Sequence, residues 1–99
     1  MGRRLEPDFT PAFSRDVKRL HKRHVNLAPL ENVIELVCRN DSDALGILKQ
    51  RHNMHALKGN WMGSHECHIA NAGDWLVIWR SSDTIAVFQR TGSHDELFR

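Results

Sequence analysis

Up to residue 39 the apolar residues of this chain recur every third or fourth position, whereas from Trp61 onward they recur every second. A single change of period of this kind puts helices in the first part of the chain and strands in the last. Thr10-Pro11 is a good helix start: a hydroxyl stands at the cap, and the proline loses nothing in a first turn whose N–H groups are unpaired anyway. Phe13, Val17, Leu20 and His24 follow at helical spacing, which predicts a helix over about 11–24. Asn26 and Pro29 open a second helix, where Leu30, Val33, Ile34, Val37 and Cys38 keep to the i, i+3, i+4, i+7, i+8 pattern. Asn40-Asp41-Ser42-Asp43 ends it, and the short connection predicts that the two helices pack as an antiparallel pair. A third, weaker helical turn is expected over 43–51, with Leu45 and Leu48 inward and Gly46 against it. Ahead of the helices, residues 2–6 read as a short edge strand stopped by Pro7.

In the later part, a four-residue hairpin loop at Ala70 to Gly73 would put Cys67 and Ile69 on one face with Leu76 and Ile78. Glu66 and His68 would then share the opposite face with Trp75 and Val77. The last strand is expected over about Thr84 to Arg90, returning through Ser81-Ser82-Asp83. A two-residue loop there brings Arg90 near Trp75 and His68, while a three-residue loop sends it to the other face, so two registers stay open.

Ninety-nine residues make one domain, 1–99, and 40% hydrophobic with 26% charged residues is ordinary globular usage that argues against disorder. No apolar run approaches the roughly 20 residues of a membrane span, and the N-terminus lacks a signal-peptide core, so no membrane partner and a cytoplasmic location are expected. Cys38 and Cys67 read as buried thiols. The net charge of +2 is unevenly spread. Arg15, Lys18, Arg19, Lys22 and Arg23 crowd the first helix, relieved only by Asp16, as a solvated face or as a surface that attracts phosphate. Seven histidines is the unusual count, and imidazoles that titrate near neutrality suit proton transfer or metal binding.

Cleaving RNA without a metal requires a base for the ribose 2′-hydroxyl, a cation for the pentavalent oxyanion and an acid for the departing 5′-oxygen. His55, His68, His94 and Asp74 are candidates for proton transfer, Arg90 for the oxyanion, and Trp75 or Phe98 for stacking on a base. Taken singly, each histidine also fits a surface role, Asp74 a turn, and Trp61, Trp75 and Trp79 packing. Zinc is the competing use. His52-Asn-Met-His55 and His65-Glu-Cys67-His68 have ligand-type residues, but the second run lacks the second histidine of a zinc-protease helix.

The segments Leu57-Lys-Gly-Asn-Trp61, Glu66-Cys-His68, Asp74-Trp-Leu-Val-Ile, Arg90-Thr-Gly-Ser-His94 and Leu97-Phe98 together resemble the YafQ-type branch of the RelE/ParE superfamily of bacterial toxins. Phe13-Ser-Arg-Asp-Val-Lys-Arg and Lys22-Arg23-His24 are similar to the first helix of that group. The resemblance implies an α/β (α+β) fold, RelE-like, with two N-terminal helices packed on a four-stranded, mostly antiparallel sheet. It implies a type II toxin that acts as a ribosome-dependent, metal-independent endoribonuclease on mRNA in the A site, without a cofactor. Its partners would be the ribosome, mRNA and a cognate, DinJ-like antitoxin. Carried over, the catalytic positions fall on His55, His68, Asp74, Arg90, His94 and Phe98, and substrate binding on Trp75. Apart from the resemblance, the charge cluster of Lys18, Arg19, Lys22 and Arg23, together with Lys58, is read as further substrate-binding cations. Two features depart from the pattern: a longer loop between Ile69 and Asp74, and Ser64-His65 where an aromatic or basic pair is common. Relatives on the same scaffold poison DNA gyrase without nuclease chemistry, which is the alternative function; a third is an RNA-binding module with structural histidines.

Overall fold

In a computed structural model, which describes residues 3–69 and 74–98, the helical half of the sequence forms three helices and the period-two half most of a sheet. The order is β1 (Glu6–Phe9), α1 (Pro11–Lys22), α2 (Ala28–Arg39), α3 (Ser42–Arg51), β2 (His55–Ala56), a 3-10 turn (Gly59–Trp61), β3 (His65–His68), β4 (Leu76–Ser81), β5 (Ile85–Gly92) and α4 (His94–Phe98). Thr10 caps α1, its Oγ1 accepting from the Phe13 N–H at 3.0 Å. Asn40 ends α2 in the left-handed conformation at φ 52°, and Asp41 caps α3 by accepting from the Ala44 N–H at 2.8 Å. The weak turn expected at 43–51 is therefore a full ten-residue helix. Ala44 and Leu48, one turn apart, are its buried stripe, and Leu45 is only half-buried.

The strands lie in the order β1-β5-β4-β3-β2, with β1 parallel to β5 and the other pairs antiparallel. That is five strands rather than four, the addition being the two-residue β2. The expected edge strand at 2–6, ending at Pro7, is instead Glu6–Phe9 and contains Pro7. Pro7 is tolerated because alternate residues bond in a parallel pair. The N–H groups of Glu6 and Thr10 donate to Thr84 and Phe88, so the proline nitrogen faces away from β5. The expected helix pair is also looser than anticipated. α1 packs on β5, α2 on α3 and the β1 edge, and a groove of about 470 Å³ lined by Phe13, Val17, Leu30 and Ile34 runs between α1 and α2.

The register of β3 against β4 differs from expectation. Ala70 to Gly73, the predicted loop, lie outside the described residues. On either side of them the Ile69 N–H donates to the Trp75 carbonyl, and Glu66 and His68 pair with Ile78 and Leu76. Cys67 and Ile69 thus share a face with Val77 and Trp75, not with Leu76 and Ile78. The pattern misled because both faces carry apolar residues. One face meets the helices through Cys67, Val77, Trp79 and Phe88; the other buries Leu76 and Ile78 under Leu97, Leu57 and Trp61. Where both faces are covered, alternation no longer selects one register.

The open question at the last strand has a local answer. Ser82 and Ile85 flank a two-residue turn of Asp83 and Thr84, and a bulge then follows. Trp79 pairs with Phe88 but Ile78 pairs with Arg90, leaving Gln89 as the extra residue. The bulge is pinned, since Thr10 Oγ1 donates to the Gln89 carbonyl at 2.8 Å and Ser64 Oγ to its side chain at 2.7 Å. Arg90 therefore falls in the row of Glu66 and Ile78.

Phe88 is fully buried, with its ring 5.7 Å from Phe9, 5.9 Å from Phe13 and 6.5 Å from Trp79. Replacing it with Ala should cost about 3–5 kcal/mol, measured as a lowered urea midpoint at unchanged slope.

Candidate active site

On the sheet face away from α1–α3, the Cα partners run His55–Glu66–Ile78–Arg90 across four strands, and the neighbouring row runs His68–Leu76–Gly92. Same-face residues along a strand stand roughly 7 Å apart, so two histidines and an arginine share this surface. Just beyond Gly92 the chain turns into α4. Ser93 and Glu96 form a reciprocal cap: the Ser93 N–H donates to Glu96 Oε1 at 2.9 Å and the Glu96 N–H to Ser93 Oγ at 3.2 Å. Leu97 packs on Leu76 and Ile78. A cap at one end and one leucine near the other hold α4 over the histidine rows.

His94, the first residue of α4, is gripped twice by Asp74. Its N–H and its Nδ1 lie 3.0 Å and 2.6 Å from Asp74 Oδ1. A carboxylate only accepts, so Nδ1 carries the proton and Nε2 is left for other work. These two bonds, the backbone one first, hold the Asp74 carboxyl below its usual range. The His94 ring sits 6.1 Å from the ring of His68 and 6.1 Å from that of Phe98, which meets Trp61 edge-on at 6.2 Å. His68 is set by its backbone: its N–H donates to the His52 carbonyl at 2.8 Å, and His52 Nδ1 donates to its carbonyl at 2.7 Å. His55 donates from Nδ1 to the Asn53 carbonyl at 2.9 Å and turns Nε2 toward Glu66 Oε1 at 3.3 Å.

Arg90 is held from α1. Its Nε donates to Asp16 Oδ2 at 2.7 Å and its Nη2 to Oδ1 at 3.0 Å, while the Thr91 N–H adds a bond to Oδ2 at 3.1 Å. Burial opposes ionisation of Asp16, but the bonds from Arg90, Thr91 and Arg19 prevail and keep its carboxyl below the ordinary value of 3.8. Trp75 is less central than expected. It pairs opposite Ile69 and packs on the helix-side core, with Nε1 donating to Thr91 Oγ1 at 3.0 Å. Its remaining edge lines a cleft of about 400 Å³ with Leu20, Arg23, Ser93 and Glu96. It therefore stands beside the histidine rows, not among them.

The supporting cations divide. Lys18 and Lys22 on α1, and Lys58 before the 3-10 turn, are exposed. Arg19 is tied to Asp16 at 3.0 Å and Glu96 at 3.1 Å, and Arg23 reaches Glu96 at 3.7 Å. Cys67 lies in the helix-side core, across the sheet from His68, and burial pushes its thiol up to about 12. Among the described residues no three His, Cys, Asp or Glu side chains gather as metal ligands.

Four residues of this arrangement were missed by sequence reasoning: Asp16, His52, Glu66 and Glu96. Two had a visible signal. Asp16 falls on the apolar stripe of Phe13 and Leu20, and Ser93-x-x-Glu96 is a capping-box spacing. His52 and Glu66 act through contacts that only the sheet creates.

Three helices on one face of a largely antiparallel sheet, with His55, His68 and the short α4 on the other, make this a mixed α/β protein. Residues 5–99 match the model for "Bacterial toxin of type II toxin-antitoxin system, YafQ". The mRNA interferase toxin YafQ of Escherichia coli K12 is 31% identical over 91 residues, 92% of each chain. The crystal structure of YafQ from E. coli strain BL21(DE3) superposes with a TM-score of 0.79 at 28% identity, covering 96% of this chain and 99% of that one. A chain of the E. coli DinJ-YafQ toxin-antitoxin complex gives 0.79 at 29%, covering 98% and 100%. The chain belongs to the YafQ family of bacterial toxins of type II toxin–antitoxin systems.

Two outcomes follow from the supports of this face. Gly92 has φ +155°, and a Cβ there would stand 2.8 Å from Glu96 Oε1. Gly92→Ala should displace Glu96 from the α4 cap and cost about 1–3 kcal/mol, read as a lowered thermal midpoint. Because the Asp16 carboxyl is depressed in the fold, its stabilisation is present above the unfolded value of 3.8 and lost as pH falls through the lower folded one. A thermal midpoint followed from about pH 6 to 2.5 should show that loss, and Asp16→Asn should lack this component.

Proposed function

We propose that this protein is an mRNA interferase: a metal-independent endoribonuclease that cuts messages in the A site of the ribosome and is silenced by a DinJ-like antitoxin. The observation that carries the reading is the pairing of His68 with an Asp74-held His94, two imidazole rings 6.1 Å apart on an exposed surface. The relatives' own description as mRNA interferase toxins agrees with it.

Between them the imidazoles remove the proton from the 2′-hydroxyl and return one to the 5′-oxygen. The 2′-oxygen attacks phosphorus, and the P–O5′ bond breaks. Arg90 uses the guanidinium N–H groups that Asp16 leaves free to hold the charge on the phosphorane. His55, one row away, stands by as a further proton-transfer group, and Phe98 offers a face to a base. Asp74 acts through His94 by fixing its tautomer.

Ribosome dependence is supported by exposure. His94, Asp74 and Phe98 are about half exposed, at 54%, 52% and 42%. Water weakens every charge interaction at so open a site, so a large partner that covers it strengthens the chemistry. Lys18 and Lys22, exposed cations of α1, suit contact with ribosomal RNA.

His94→Ala should reduce cleavage of ribosome-bound message by about 10²–10⁴-fold while antitoxin binding is retained. Undiminished cleavage by that variant would move the chemistry elsewhere. Lys18→Glu with Lys22→Glu should weaken ribosome association and lower the salt dependence of what remains, measured by co-sedimentation. Unchanged association would leave this helix face merely solvated.

A further inference from the structure

We propose that Asp16 is the positioning residue of the site: it aims the Arg90 guanidinium at the scissile phosphate from inside α1. The inference rests on the endoribonuclease reading and names a residue outside the imidazole set.

The geometry is specific. Asp16 is 2% exposed, on a helix whose neighbouring polar residues face solvent. Its two oxygens take Nε and Nη2 of Arg90, a two-point grip that fixes the plane of the guanidinium as well as its place. Backbone and side chain of β5 are held together, because the same carboxylate takes the Thr91 N–H. Thr91 is itself locked, donating to the Leu76 carbonyl at 2.7 Å and accepting from Trp75. Asp16 therefore sets where Arg90 leaves the strand and where its head group points, while Nη1 stays free of the carboxylate.

Arg19 joins Asp16 to Glu96, and Arg23 reaches Glu96. With Arg90, three guanidiniums face two carboxylates within this cluster of ion pairs.

The test is a double-mutant cycle on cleavage of message by the full-length toxin on ribosomes. Asp16→Asn keeps the volume but loses the charge, and it should lower kcat by about 10–100-fold with KM unchanged. Arg90→Ala should lower kcat too, and Asp16→Asn added to it should cost nothing further. Free guanidinium should restore cleavage to Arg90→Ala but not to the double variant. Asp16→Glu retains the charge and protects the fold if Asp16→Asn does not fold; it should lower kcat as well, because it shifts the head group. Additive losses, rescue independent of Asp16, or a normal kcat in Asp16→Glu would overturn the proposal while the assignment of Arg90 stands. A normal kcat in Arg90→Ala would overturn both.

Discussion

A single buried carboxylate closes the edge of the sheet that β1 leaves uncovered. β1 accompanies β5 only as far as Phe88; past that point α1 takes over, with Thr10 meeting Gln89 and Asp16 meeting Thr91 and Arg90. An ion as deeply buried as Asp16 is costly to desolvate. It is retained here by three donors, two of them charged, and taking one member from such a group typically costs about 3–5 kcal/mol. The arrangement ties the first helix to the last strand, 74 positions away. It also explains why the helix with the densest run of basic residues packs on β5 and not tightly on α2.

From that edge the rest of the site follows by register. The bulge at Gln89 sets Arg90 in the row of Glu66 and His55, and Gly92 in the row of His68. Without the extra residue Arg90 would pair with Val77, on the helix-side face, and the cation would be separated from the imidazoles. One inserted residue thus decides on which face of the sheet Arg90 falls.

The helices were legible because their signals are local. Thr10-Pro11, Asn40 and Asp41 each act within four residues of where they stand, and the stripe from Leu30 to Cys38 lies under the sheet as its spacing requires. The sheet was legible only as a set of strands. A period of two says which residues alternate, not which strand partner each meets. With Leu76 and Ile78 buried by Leu97 on one face and Val77 and Trp79 by helices on the other, hydrophobicity gave no preference for either register. The candidate residues His68, Asp74, His94 and Phe98 are brought together, and Trp75 is set to one side by that same register. Asp16 escaped notice because an acid in a basic run reads as charge balance; its place on the apolar stripe was the better guide.

The imidazoles of the surface are restrained by groups close in sequence or on a neighbouring strand, His94 with its Nε2 left clear of Asp74 and His55 with Nε2 turned to Glu66. His94 is held at Nδ1 by Asp74, His55 at Nδ1 by the Asn53 carbonyl, and His68 by backbone bonds to His52 that do not use its ring nitrogens. The ring of His94 is therefore oriented before a substrate arrives, while His68 is fixed only in its backbone. Exclusion of water is what the surface lacks, since the site is a shallow face and not an enclosed cavity. Preorganised donors reach their full effect only where solvent is kept away. On the proposed reading the message arrives already held by the ribosome, and the exposure of His94 and Phe98 is what that reading rests on.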